Sequence, residues 1–478
     1  ALLQSYLAGQ SELTRFIEST DLAPLEKSRA RFVAALLADA IAPSNSPLTN
    51  PAALRKLVDT GGMSLATGLR QFGQDMLNNR GLPRQVDSTP FKVGENIATA
   101  KGEVVFRNEM FELLQFAPTT EKVYARPLVM STPQINKYYA IDLSPEKSLI
   151  KWIQDSGVTL FVISWRNPTR EHRDWGLSDY ALCLDQAVDV ARRITGSPDV
   201  NMWGSCSGGI TLAAYLGWLA AVGESAKVAN TCWAVCVLDM PAVMDDTGIG
   251  LMATPAALAA AKANSRRKGV LSGQEMARMF AWLRPNDLIW NYVINNYLLG
   301  DDPPAFDVLF WNADATNLSA TLMGDFLTLF ETLAFTKRGE IEIADHMLDL
   351  SKVDADLFVL GGVTDHITPW RATYRSTQLF GSDDVTYVLS QSGHMQAILN
   401  PPGNPKAKYY VQKSGGDLPA TAEDWLAGTE EVAGSWWPFW MEWVQKRSGP
   451  KKMAPRNLGG KGFEPTDPAP GLYVLEQA

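Results

Sequence analysis

Val200-Asn201-Met202-Trp203-Gly204-Ser205-Cys206-Ser207-Gly208-Gly209 is the stretch on which the reading of this chain turns. A short apolar run enters a Gly-x-Cys-x-Gly turn and leaves into a helix-like segment over 210–222. Strand, tight turn and helix in that order make a nucleophile elbow, with Cys206 where most such turns carry serine. Gly204 and Gly208 suit a turn too tight for bulky side chains, and such a turn lifts the thiol above the sheet edge. The competing reading is a free core cysteine beside a Gly-rich turn. Gly-x-x-x-Gly spacing is common, so the strand-turn-helix context carries the argument.

Outward from the elbow, short runs rich in apolar and β-branched residues recur at 103–107, 128–130, 159–165 and 231–238. Helix-period segments lie between several of them. Ala181, Leu184, Ala187, Val188, Ala191 and Ile194 fall at helical steps and build one apolar face. Strands alternating with helices predict parallel pairing in a doubly wound α/β sheet, with functional groups at the strands' carboxyl ends. The alternation lapses over about 240–350, an Ala- and aromatic-rich stretch read as a mostly helical cap inserted over the sheet. It resumes with a strand at 356–360, a helix at 370–380, a strand at 385–389 and a last helix at 436–446. Residues 1–90 read as a partial helical N-terminal domain, 91–447 as the catalytic domain with its cap, and 448–478 as a C-terminal tail.

Composition sets bounds on function. The chain has 478 residues, a formal net charge of -9 and 46% hydrophobic residues, ordinary for a large globular protein. The negative charge argues against a nucleic-acid partner. Cys183, Cys206, Cys232 and Cys236 form neither a disulfide framework nor a zinc pattern, which predicts a reduced, cytosolic protein. No segment reads as a signal peptide or a transmembrane span, and the start at Ala1 predicts a missing upstream segment. No phosphate-binding loop follows a strand; Gly459-Gly460-Lys461-Gly462 lies after the last helix.

The elbow has two partners downstream. The strand-like run ending at Leu360 leads into Gly361-Gly362-Val363-Thr364-Asp365-His366, and the run ending at Leu389 leads into Ser390-Gln391-Ser392-Gly393-His394. Nucleophile, acid and histidine follow in the chain order of α/β-hydrolase folds. Asp365 also suits a helix N-cap. His366 rivals His394 as the base but is read as a pocket neighbour, because adjacent residues seldom share one triad. His346 reads as structural, and His172, in the charged run 170–174, as solvated. The backbone N–H of Ser207 supplies half of an oxyanion hole, and the loop Pro133-Gln134-Ile135-Asn136, centred on Ile135, supplies the other half.

A thiol at the elbow has a chemical consequence. Its attack on a thioester yields another thioester, so the acyl group stays activated for a second acceptor. That favours acyl transfer over hydrolysis, provided water is kept out. Trp436, Trp437, Trp440 and Trp443 have helical spacing, which suits core packing; contact with a hydrophobic polymer is the other use of such a face.

With these motifs in place the chain resembles the polyhydroxyalkanoate synthases of the single-subunit class I and class II types. The resemblance rests on Pro90-Phe91-Lys92-Val93-Gly94-Glu95-Asn96, Ile135-Asn136-Lys137-Tyr138-Tyr139, Ser164-Trp165-Arg166-Asn167-Pro168, the cysteine box, Arg284 to Tyr292, Asp365-His366-Ile367, Gly393-His394 and Pro468-Ala469-Pro470-Gly471-Leu472-Tyr473-Val474. Ser205 and Ser207 are similar to the medium-chain class, Asp314-Ala315-Thr316-Asn317 and Ser435-Trp436-Trp437-Pro438 to the short-chain class. The resemblance implies polymerisation of (R)-3-hydroxyacyl-CoA into a polyester with release of coenzyme A. It implies Cys206 as nucleophile, Asp365 as acid and His394 as base, and no metal or organic cofactor. It further implies a homodimer associated with cytoplasmic polyester granules. Two alternatives are a cysteine-dependent hydrolase of the dienelactone hydrolase or thioesterase kind, expected in a shorter chain without a large cap, and a non-catalytic granule-coat protein.

Overall fold

The computed structural model describes residues 2–239, 247–412 and 418–478. The first residues of the expected cap, 240–246, lie outside the described residues. The chain divides into two compact units, one of Ala1–Phe91, Met244–Thr254 and Gln274–Ala313, the other of Lys92–Val243, Pro255–Gly273 and Asp314–Ala478. The stretch expected as one cap is therefore shared between the two.

The smaller unit is helical. Its N-terminal part contains α1 (Leu2–Ser19), α2 (Pro24–Ala40), α3 (Pro51–Asp59) and α4 (Met63–Asn78). Asn50 caps α3 by accepting from the N–H groups of Ala52 and Ala53, with Pro51 at the first helical position, where its missing N–H costs nothing. Gly68 lets α4 approach the backbone of Tyr297, whose hydroxyl donates to Asp75 at 2.9 Å.

The larger unit is built on a sheet of eleven strands among the described residues. These are β1 (Gly102–Arg107), β2 (Phe111–Phe116), β3 (Leu128–Ser131), β4 (Leu160–Trp165), β5 (Val200–Ser205), β6 (Val228–Ala234), β7 (Asp356–Gly362), β8 (Val385–Ser390), β9 (Lys408–Gln412), β10 (Thr429–Ala433) and β11 (Asp467–Pro468). The order is β10-β9-β8-β7-β6-β5-β3-β4-β2-β1-β11. Strands β8 to β4 in that order pair in parallel, and both flanks are antiparallel. The parallel strands β4 and β5 are buried along their whole length, as expected when helices cover both faces. The expected strand over 231–238 ends earlier, at Ala234, because Val235 turns to φ 45°, a conformation no strand continues through.

The helices of the larger unit include α5 (Leu177–Thr195), α6 (Ser207–Val222), α7 (Pro255–Lys268), α8 (Ala320–Thr332), α9 (Trp370–Ser376), α10 (His394–Ile398) and α11 (Trp437–Lys446). The expected apolar face of α5 is inside: Ala181, Leu184, Ala187, Val188 and Ala191 are buried. The tryptophans of the last helix are core residues. Trp436, Trp437 and Trp440 are at most 1% exposed, and Trp203 of β5 packs at 4.8 Å from Trp440. Each large aromatic buries 150–250 Å², so the gross gain is roughly 4–6 kcal/mol apiece at about 25 cal/mol/Å².

Candidate active site

The elbow is built as its sequence predicts. β5 ends at Ser205, α6 begins at Ser207, and Cys206 between them adopts φ 48° and ψ -125°. A non-glycine residue held there is strained, by on the order of 1–3 kcal/mol. Two features hold it. The Cys206 N–H donates to the Ala234 carbonyl at 3.1 Å, and the Cys206 carbonyl accepts from the Gly209 N–H at 3.0 Å. The surrounding glycines are required for close approach. A Cβ on Gly204 would lie 2.8 Å from the Gly209 Cα, and one on Gly208 would overlap the Ser131 carbonyl oxygen and sit 2.7 Å from Thr132. Cys206 is partly accessible, whereas Cys183, Cys232 and Cys236 are buried, with thiols that burial pushes up. One cysteine of the four combines access with a tight turn.

Asp365 and His394 come together after β7 and β8. Gly362 allows the approach, since a Cβ there would lie 2.6 Å from the Ser392 carbonyl oxygen, and the Val363 N–H donates to Ser390 at 2.8 Å. The result is a contact of 2.7 Å between Asp365 Oδ2 and His394 Nδ1. It is His394, not His366, that holds this oxygen. Oδ1 of Asp365 accepts from the N–H groups of Ile367 and Thr368, both at 2.9 Å. The N-cap reading fails, because α9 has Pro369 at its N-cap and no side-chain cap; Asp365 closes the turn that precedes the helix while it pairs with His394.

Thr368 is a residue that sequence reasoning missed. Its hydroxyl donates to Asp365 Oδ2 at 2.7 Å and lies 3.2 Å from His394 Nδ1. The signal was present as Asp-x-x-Thr, a spacing that lets an aspartate meet a backbone N–H and a hydroxyl in one turn. Cys206 is among the groups that act on the charge of His394. Burial disfavours its charged form, but the Asp365 carboxylate, with a further contribution from Cys206, outweighs that and pushes its pKa up to about 10. Burial raises the Asp365 pKa, and His394 and Thr368 more than reverse that, leaving it below the ordinary carboxylate value. Two tryptophans brace the histidine's helix: Nε1 of Trp436 donates to the Ala397 carbonyl at 2.7 Å and Nε1 of Trp437 to Ile398 at 2.9 Å.

The loop after β3 flanks the elbow. The Ser131 hydroxyl donates to the Gly208 carbonyl at 3.0 Å, and Gln134 Nε2 donates to the Thr211 hydroxyl on α6 at 2.9 Å. Ile135 follows, half-buried. Ser207 opens α6, so its N–H has no acceptor within the helix, and its buried hydroxyl has no partner among the described residues. The remaining histidines lie elsewhere. His346 is exposed on a short hairpin. The expectation that His172 is solvated fails: it is 8% exposed, stacked on Trp175 at 4.1 Å, and its Nδ1 accepts from the Thr169 N–H. The charged neighbours in that run face outward while the ring packs inward.

A mostly parallel sheet with an elbow at the end of a central strand and an Asp–His pair after two later strands defines an α/β hydrolase fold. The family model for the alpha/beta hydrolase fold matches residues 139–401, and that for the poly-beta-hydroxybutyrate polymerase (PhaC) N-terminus matches residues 1–153. Poly(3-hydroxyalkanoate) polymerase 1 of Ectopseudomonas oleovorans is 47% identical over 99% of this chain and 83% of its own length. A poly(3-hydroxyalkanoate) polymerase subunit of Cupriavidus necator is 38% identical over 99% of this chain and 80% of its own. Among solved structures, a soluble variant of the monoglyceride lipase of Saccharomyces cerevisiae aligns at 13% identity with a TM-score of 0.41, covering 76% of this chain and 98% of that one. The chain belongs to the poly(3-hydroxyalkanoate) polymerase family, a family of acyltransferases.

Proposed function

We propose that the chain polymerises (R)-3-hydroxyacyl groups, delivered as coenzyme A thioesters, into a polyester through an acyl-cysteine intermediate. The observation that carries this reading is the 2.7 Å Asp365–His394 pair together with an accessible thiol, Cys206, on a strained elbow. In the Cys206–His394 pair the proton rests on His394, and the sulfur attacks the thioester carbonyl as the thiolate of that pair. The developing oxyanion meets the N–H groups of Ser207 and Ile135. Collapse expels the thiolate of coenzyme A, which takes the proton from His394 and leaves the acyl group on Cys206. The hydroxyl of a further 3-hydroxyacyl unit then gives its proton to His394 and attacks the acyl-cysteine, forming the ester and restoring the thiol. Asp365 orients His394 and stabilises the imidazolium.

The thioester supplies the activation, so the proposed cycle needs no metal or organic cofactor, and coenzyme A leaves as product. Residues 91–447 are proposed as the catalytic domain and 240–350 as a cap that limits water. A homodimer working at the surface of cytoplasmic polyester granules completes the proposal. Among the described residues no helix is long and apolar enough to cross a membrane. Leu37, Val58 and Leu77, one on each of three N-terminal helices, are exposed apolar side chains of the kind surface association would use.

Coenzyme A release and insoluble polymer, measured together, test the reading. The parent should give both, and a folded Cys206→Ala variant neither. Free 3-hydroxy acid without polymer would make the protein a thioesterase, and a parent inert in both assays would make it a coat protein.

A further inference from the structure

We infer that Asp314 is a positioning residue for the oxyanion hole: with Lys137 and Tyr139 it forms a buried clasp that fixes the loop carrying the Ile135 N–H. The inference rests on the acyl-cysteine reading above and extends it to residues outside the Cys-His-Asp set. Lys137 Nζ lies 2.7 Å from Asp314 Oδ1, and the Tyr139 hydroxyl donates to Asp314 Oδ2 at 2.7 Å. The Lys137 side chain is 3% exposed and that of Asp314 11%. A buried ion pair gains little net stability over apolar packing, because desolvation offsets the attraction. What such a pair does is fix geometry, since each charge can be buried in only one arrangement.

The geometry concerned is that of residues 134–137. Downstream of Asp314, Ala315 bridges Asn136 through the backbone, and the Thr316 hydroxyl donates to the Gln134 carbonyl at 2.8 Å. From the other side, Gln134 Nε2 reaches the Thr211 hydroxyl on the helix that follows Cys206. Ile135 therefore sits between two tied residues: Gln134 is held by the nucleophile helix and by Thr316, and Asn136 by Ala315, both in the segment just after Asp314. The clasp also has a root. Asn317 accepts from the Gly273 N–H at 3.0 Å and donates to the Pro168 carbonyl at 3.1 Å. The chain leaves the larger unit after Gly273 and re-enters it at Asp314. Asn317 thus joins Gly273, where the chain leaves, to the segment by which it returns and which holds the oxyanion loop.

The test compares two reactions of Cys206. Acylation by a thioester develops an oxyanion, whereas alkylation by iodoacetamide needs the activated thiol but no oxyanion hole. In the purified full chain, Asp314→Ala, Lys137→Met and Tyr139→Phe should slow single-turnover coenzyme A release by about 10- to 100-fold, the scale set by small misplacement of a reacting geometry. Alkylation of Cys206 should stay within about twofold of the parent, since thiol activation depends on His394. Asp314→Asn keeps an acceptor for Tyr139 and should recover part of the rate lost in Asp314→Ala. Tyr139→Phe removes one hydroxyl and serves if the charge variants do not fold. A parallel fall in acylation and alkylation would reduce the clasp to fold maintenance, and no fall in acylation would remove its role altogether. Failure of the nucleophile assignment looks different: the parent would then keep its turnover after Cys206 is alkylated.

Discussion

Asp365 has two oxygens with two tasks: Oδ1 closes the turn into α9 and Oδ2 holds His394. Its removal therefore has a predictable electrostatic signature. The raised His394 pKa contributes stability that is fully present below the ordinary value of 6.5 and lost as pH rises through about 10. The lowered Asp365 pKa contributes stability present above its ordinary value and lost as pH falls through its lower folded value. The pair thus stabilises the fold most between the two ordinary values. In Asp365→Asn, burial acts on His394 without the carboxylate's offset, so the imidazole should titrate lower than in the parent by NMR while turnover drops on the order of 10⁴-fold. An imidazole titrating as high as in the parent would mean that Asp365 is not what holds the charge on His394. At this scale much was legible. Cys206, Asp365 and His394 follow strand-like runs, and period-2 or continuous apolar texture survives in a sequence. Thr368 and the inward packing of His172 were not, because a hydroxyl's partner and a ring's orientation depend on contacts far along the chain.

Gly208 illustrates what elements demand of one another, since β3 and α6 meet there with no room for a side chain. Gly208→Ala should cost about 1–3 kcal/mol of stability as an overpacked site, read as a lower denaturation midpoint. Because the displaced atoms are Ser131 and Thr132 at the head of the oxyanion loop, acylation of Cys206 should fall further than global stability explains. Equal stability to the parent would show that β3 yields freely. The parallel central strands were readable as apolar runs. The antiparallel flanks were less so: β2 is buried at every position yet follows Asn108-Glu109 with no glycine or proline to mark the hairpin. β9 and β10 are half-exposed, and polar side chains hide their strand character. The division of the 240–350 stretch between two units was illegible for a different reason, since helical periodicity names a buried face but not the partner that buries it.

Across the whole larger unit, residues far apart in sequence are tied at Glu112. This buried carboxylate meets Arg107 at 2.7 Å and accepts from the N–H groups of Leu472 and Tyr473 at 2.9 and 3.0 Å. Arg107 also pairs with Asp467, beside which β11 joins β1. Glu112→Ala would leave buried donors without an acceptor, and we expect a loss of about 3–5 kcal/mol. Limited proteolysis reads the same effect locally, with cuts appearing in 460–475 before the rest of the unit opens. Unchanged protease resistance there would show that the terminal segment is held by its other contacts alone.

The seam between β1 and β11 has a consequence for how the chain is made. Arg107 leaves the ribosome 360 residues before its partner Asp467. At about 5–20 residues per second, the outer edge of β1 waits on the order of 20–70 seconds for the strand that covers it. An uncovered strand edge is a template for pairing with other chains. Crowded synthesis, as in strong overexpression, would therefore expose many such edges at once, and insoluble protein would be expected to rise with translation rate before any mature molecule is unstable.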